Sequence, residues 1–172
     1  MCMKVLFSAD DIAARTNAMA EDIARDLPAD LIMAPVLTGA IIFAADLLRA
    51  ITRVGHDPLV DTVQLSSYGG ARASSGVVTL LKDFSLDLEG KSVLLVDDVL
   101  DTGRSLHFAK RMVYDRGARE AKIAVLVRKN TGRGEDIDAD YVGFEAEADD
   151  FLVGYGMDDD GHKRGLDYIG SA

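Results

Sequence analysis

The sequence predicts an α/β fold built on a mostly parallel sheet. Short apolar runs at residues 31–37, 92–96 (SVLLV) and 123–127 have the length of strands buried on both faces. Between them apolar residues recur at helical spacing, and strands alternating with helices imply parallel pairing. The 172 residues carry 48% hydrophobic side chains, enough for a core without metal or disulfide staples.

Taken in order, Ser8 with Asp11 three residues on has the form of a capping box. Ile12, Met19, Ile23 and Leu27 then share one helical face up to Pro28. A strand is expected over residues 31–37, a helix over 40–54 and a β-prone stretch over 59–66. Residues 66–76 (SSYGGARASSG) read as a loop or hairpin tip, and a strand resumes over 77–81. The strand at 92–96 is expected to stop at Asp97 and Asp98. Leu106, Ala109 and Val113 mark a helix ending near Gly117, followed by strands over 123–127 and 141–144. Residues 145–172 are irregular, acidic and glycine-punctuated, as for a small cap over the sheet edge. One domain, residues 1–172, is therefore expected, with a core at about 28–144 and a hood formed by 145–172 and part of the N-terminus.

Composition also excludes. With 19 basic and 29 acidic side chains the formal net charge is −10, which disfavours a generic nucleic-acid partner. The single cysteine, Cys2, allows no internal disulfide, and residues 1–10 lack the basic flank and apolar stretch of a secretory signal. A cytoplasmic protein is expected. Residues 31–48 attract a hydropathy window, but Pro35, Thr38, Gly39 and Asp46 interrupt it, so no membrane association is expected. There is no Walker-type loop, dinucleotide fingerprint, H-E-x-x-H or cysteine metal pair.

The informative stretch is residues 93–106, VLLVDDVLDTGRSL, where an apolar strand meets carboxylates and then a small-residue turn opens a helix. Ligands of open α/β sheets bind beyond the carboxyl ends of strands. Asp101, Thr102, Gly103, Arg104 and Ser105 gather backbone N–H groups, two hydroxyls and a helix N-terminus, which is a receptor for phosphate. The plain alternative makes Asp101 an N-cap and Asp97 with Asp98 a solvated strand end. Adjacent carboxylates repel, however, and a hydroxyl-rich or metal-bearing ligand accounts for them better.

This stretch resembles the phosphoribosyl-pyrophosphate (PRPP) signature of the type I phosphoribosyltransferases. SSYGG, SSGVVTLLKD, ADYVGFE, DDFLVGYGMD and a later YIG resemble successive segments of the hypoxanthine-guanine phosphoribosyltransferases, a likeness spanning roughly residues 31–170. It implies a mostly parallel twisted sheet flanked by helices with a small hood, and transfer of phosphoribose from PRPP with Mg2+ to a 6-oxopurine. A xanthine-preferring enzyme and a non-catalytic PRPP-sensing regulator are the alternatives. By resemblance, Asp97 and Asp98 bind the ribose hydroxyls and metal, and residues 101–105 bind the 5-phosphate. Asp101 is in addition the proton acceptor near purine N7. Lys129, rather than Arg128, donates to the 6-oxygen, Phe151 stacks on the base, and the Leu152 backbone reads its edge. Asp158 is a further metal acid, Arg164 a pyrophosphate contact, and Ser67 and Tyr68 the tip of a lid. Thr38 and Gly39 form the pyrophosphate loop, where Thr38 stands in place of the family's usual lysine. Asp159 likewise replaces an aromatic. The resemblance also implies a homo-oligomer, dimer or tetramer.

Overall fold

The computed structural model describes residues 3–67, 78–131 and 137–171. In chain order the elements are β1 (Lys4–Phe7), α1 (Ala9–Asp26), β2 (Ile32–Leu37), α2 (Ile41–Arg53), β3 (Leu59–Val60), β4 (Val63–Ser67) and β5 (Val78–Lys82). There follow β6 (Ser92–Leu100), α3 (Arg104–Asp115), β7 (Glu120–Lys129), β8 (Tyr141–Ala146), β9 (Leu152–Val153) and β10 (Ile169–Ser171). Among the described residues the larger sheet runs β5-β4-β2-β6-β7-β8, with β3 also on β2. All its pairings are parallel except β4 with β5.

Helix α1 begins as its sequence requires. Ser8 accepts from the Asp11 N–H at 3.2 Å and the Asp11 carboxylate accepts from the Ser8 N–H at 3.1 Å. The sheet is covered on both sides, and β6 shows the alternation. Leu94 and Val96 pack with α1 and α2 residues such as Ile12, Met19, Phe43 and Leu47, whereas Val93 and Leu95 pack with Leu106, Ala109 and Val113 of α3. No helix among the described residues is long and apolar enough to cross a membrane.

The structure departs from the sequence expectation in four places. Strand β6 does not stop at the aspartates but continues to Leu100, because β7 keeps pairing with it through Asp97↔Val125 and Leu100↔Arg128. On its other side the ladder with β2 ends at Pro35↔Val96, so the two strands part there. The stretch at 59–66 is two strands, broken at buried Asp61. Residues 4–7, to which the sequence assigned no element, form β1, and the C-terminal stretch, read as irregular, contributes β9 and β10 to a separate antiparallel sheet, β1-β10-β9. Of the expected loop and lid tip, Ser67 closes β4 opposite Val78, while Tyr68 lies outside the described residues.

Asp61 was not legible as a structural acid. Its carboxylate accepts from the N–H groups of Thr62, Ser85 and Leu86 at 2.6–2.9 Å and from Lys82 Nζ at 3.3 Å, tying the β4–β5 hairpin to the chain after it. Burial pushes its pKa up, but the three N–H donors and Lys82 outweigh burial and hold it below the ordinary 3.8. A lowered folded-state pKa gives stability that is present above the unfolded value and lost as pH falls through the folded one. Asp61→Asn is therefore expected to lower unfolding free energy by about 1–3 kcal/mol at neutral pH. In denaturant titrations the deficit relative to the unsubstituted chain should shrink as the pH drops below about 4; a pH-independent deficit would contradict this.

Candidate active site

The parting of β2 and β6 opens a cleft of ≈ 280 Å³ lined by Val36, Leu37, Gly39, Leu65, Asp97, Asp98, Val99, Ser105, Asp158 and Arg164. Six of the residues singled out in the sequence thus come together: Gly39, Asp97, Asp98, Ser105, Asp158 and Arg164. The cleft lies at the carboxyl ends of parallel strands, with β4 on the far side of β2, which is where open α/β sheets bind ligands.

Asp97 is only 8% exposed. Burial drives its carboxyl well above the ordinary carboxylate range, and the neighbouring Asp98 charge reinforces that. Burial raises Asp98 as well, against bonds from Asp97, the Val99 N–H and the Arg164 charge that favour its ionised form. Such a pair is receptive to hydroxyl donors or a cation. Asp97, Asp98 and Asp158 supply hard oxygen ligands suited to Mg2+, yet no group of three acids or histidines among the described residues is assembled to hold a metal ion.

Glycine lets the walls close. A Cβ on Gly39 would stand 2.1 Å from Asp98 Oδ2, and one on Gly156 would stand 2.1 Å from the Gly39 carbonyl oxygen. Gly156 also has φ 104°, which L side chains rarely adopt. Arg164 donates to the Gly156 carbonyl at 2.6 Å and pairs with Asp158 at 2.8 Å, so one guanidinium ties both to the cleft wall. Gly156 was missed in the sequence; the two glycines of the VGYG stretch were the available signal.

Beyond β6 the turn reaches α3 without a side-chain cap. The N-cap is Gly103 at φ 74°, and Asp101 is exposed and caps nothing, which overturns the plain capping alternative. The first intrahelical bond runs from His107 N–H to the Gly103 carbonyl, leaving the N–H groups of residues 104–106 outside the helical ladder. Thr102 is exposed beside Asp101.

Lys129 ends β7 one residue after the last β6–β7 pair, Leu100↔Arg128, and pairs with Ala146 of β8. Arg128 is engaged elsewhere: its guanidinium meets Glu145 at 2.6 Å and Asp138 at 2.8 Å. Those two acids hold its pKa above the ordinary value. Lys129 lines a second cavity of ≈ 590 Å³ with Phe7, Asn130, Glu147 and Asp150. Phe151, directly after Asp150, is 51% exposed and so is not a core aromatic, while Leu152 is buried.

The Leu37–Thr38 peptide is cis, and Leu37 and Gly39 line the cleft while exposed Thr38 does not. Asp159, the other departure, accepts from Lys163 at 2.7 Å across the turn that follows Asp158.

Comparison with known proteins decides the family. Residues 6–160 match the phosphoribosyl transferase domain. The hypoxanthine-guanine phosphoribosyltransferase of Mycobacterium avium is 41% identical over 97% of this chain and 84% of its own length. The chain belongs to the hypoxanthine-guanine phosphoribosyltransferase family. The enzyme of that name from Streptococcus thermophilus is 39% identical over 97% of this chain and 91% of its own. A solved hypoxanthine-guanine phosphoribosyltransferase of Bacillus anthracis superposes with a TM-score of 0.91 at 35% identity, covering 100% of this chain and 99% of that one. The type I phosphoribosyltransferase fold expected from the sequence is thereby established.

Gly39→Ala is expected to force the Asp98 carboxylate aside and weaken PRPP binding at least about tenfold, a loss of about 1.4 kcal/mol. Calorimetric titration of a variant with unchanged circular dichroism checks this, and wild-type affinity would contradict it.

Proposed function

We propose that this chain transfers the 5-phosphoribosyl group of PRPP to N9 of hypoxanthine or guanine, giving IMP or GMP and pyrophosphate. The observation that carries the reading is buried Asp97 with half-buried Asp98 beside an uncapped, glycine-started helix turn at the parting of β2 and β6. Family membership supports the same chemistry.

In this reading the carboxylates of Asp97 and Asp98 accept the ribose hydroxyls, and the N–H groups and hydroxyls of residues 101–105 surround the 5-phosphate. Backbone N–H groups at Thr38 and Gly39 and the Arg164 guanidinium meet the pyrophosphate end. Mg2+ bound with PRPP would be held by Asp97, Asp98 and Asp158 and would supply charge neutralisation of the leaving group. Asp101, exposed and without a bonded partner among the described residues, accepts the purine N7 proton as the new glycosidic bond forms. The carboxylate assists and does not attack. Lys129 donates to the 6-oxygen of the base; opposite the 6-amino group of adenine it would meet another donor. Phe151 offers its exposed ring to the base, the Leu152 backbone reads the base edge, and Ser67 and Tyr68 cover the reaction from water. We further place the enzyme in the cytoplasm as a homo-oligomer, dimer or tetramer, acting on small molecules and not on nucleic acid. Sedimentation giving a pure monomer at working concentration would overturn the assembly.

The decisive assay offers hypoxanthine, guanine, xanthine and adenine separately with PRPP and Mg2+. Turnover of oxopurines and not adenine is expected, and PRPP binding without turnover of any base would overturn the enzyme reading in favour of a regulator. Asp101→Asn should lower kcat by about 10²–10⁴-fold with PRPP affinity little changed. Lys129→Met should narrow the preference for oxopurines over adenine by about tenfold or more; unchanged values in either variant would refute that residue's role.

A further inference from the structure

Tyr155 joins the hood to α2. It has φ 51° and stands between Gly154 at φ 94° and Gly156 at φ 104°, three successive residues in the left-handed region. Glycine adopts that conformation freely, whereas a bulky residue in it must be held by its surroundings. The ring is buried in the cluster that contains Phe43 and Leu47 of α2, and the hydroxyl donates to Asp46 Oδ2, also on α2, at 2.5 Å. Burial and the Asp46 carboxylate push the Tyr155 pKa above the ordinary 10, so the hydroxyl stays a donor.

The next residue reaches the cleft. A Cβ on Gly156 would stand 2.1 Å from the Gly39 carbonyl oxygen, and one on Gly39 would stand 2.1 Å from Asp98 Oδ2, so Gly39 lies between the hood backbone and a cleft carboxylate. The Gly156 carbonyl also accepts from Arg164 at 2.6 Å, and the Arg164 charge favours ionised Asp98. The place of Gly156 therefore sets both the Gly39 wall and the Arg164 guanidinium. The fold itself depends less on the Tyr155 hydroxyl. The Asp46 side chain is 39% exposed and keeps Arg49 at 2.7 Å, so losing that hydroxyl leaves no buried charge without a partner.

We propose that Tyr155 and Asp46 are a positioning pair for the pyrophosphate end of PRPP. Their bond holds the left-handed segment 154–156 on α2, and Gly156 in turn fixes Gly39 and Arg164 where the leaving group is received. Neither Tyr155 nor Asp46 lines the cleft, so both act through these neighbours. The proposal rests on the phosphoribosyltransferase reading and adds two residues to it.

The test combines steady-state kinetics with calorimetric titration of PRPP and Mg2+ for Tyr155→Phe, Asp46→Ala, Asp46→Asn and the double variant Tyr155→Phe with Asp46→Ala. Tyr155→Phe is expected to raise the KM and the Kd for PRPP by about fivefold or more, with kcat and the KM for the base held within about twofold. Asp46→Ala should do the same, and the double variant should be no worse than either single one. Asp46→Asn, whose amide oxygen still accepts from the hydroxyl, should keep most of the PRPP affinity. A purely structural role would lower the melting temperature and leave the KM for PRPP where it was. That result, an equal rise in the KM for the base, or effects that add in the double variant would overturn the proposal. If the unsubstituted chain binds PRPP but turns over no base, the functional reading fails, and the calorimetric constants decide the pair on their own.

Discussion

The structure depends on how β6 is held. It is paired on both edges and covered on both faces, so its backbone is held from every side. It loses β2 after Val96 while β7 accompanies it for four more residues, to Leu100. Within that one-sided extension lie Asp97 and Asp98. A rigid strand thus delivers two carboxylates to the floor of an opening that the same strand creates, and the turn to α3 follows immediately.

Two acids in such a place oppose stability, because burial penalises their charge and each penalises the other. The surrounding chain meets this with backbone rather than with cations: the Asp98 N–H donates to Asp97 at 3.0 Å and the Val99 N–H to Asp98 at 2.9 Å. Among the described residues Arg164 brings a positive charge to bear on Asp98, and it is divided between Asp158 and the Gly156 carbonyl. The cleft therefore keeps capacity for donors that arrive with a ligand. Its tightness comes from Gly39 and Gly156, whose missing side chains allow backbone to touch backbone and carboxylate.

The sequence revealed the parallel sheet and α1 to α3 because those elements carry strong local signals: a capping box, helical periodicity, and apolar runs too short for helices. It did not reveal β1, β9 and β10, whose two to four residues are strands only because distant segments pair with them. The same cause hid the length of β6, since an aspartate pair reads locally as a strand end. Asp61 gave no signal at all: its partners lie one residue away and more than twenty residues away, and only folding brings them together. Among the site residues, those in the 93–106 stretch were legible from physical chemistry, whereas Lys129, Phe151, Asp158 and Arg164 were legible only through family resemblance.

Thr38 shows why local position matters more than residue type. The loss of a lysine at this loop would matter most if its side chain faced the cleft. Here Leu37 and Gly39 line the cleft, whereas Thr38 is exposed and is not among its lining residues. The tight positions of the loop are Gly39, where a Cβ would stand 2.1 Å from Asp98 Oδ2, and its neighbour Gly156, where one would stand 2.1 Å from the Gly39 carbonyl oxygen. A Cβ is thus excluded at Gly39 and Gly156 by contacts that the side chain at position 38 does not have to meet.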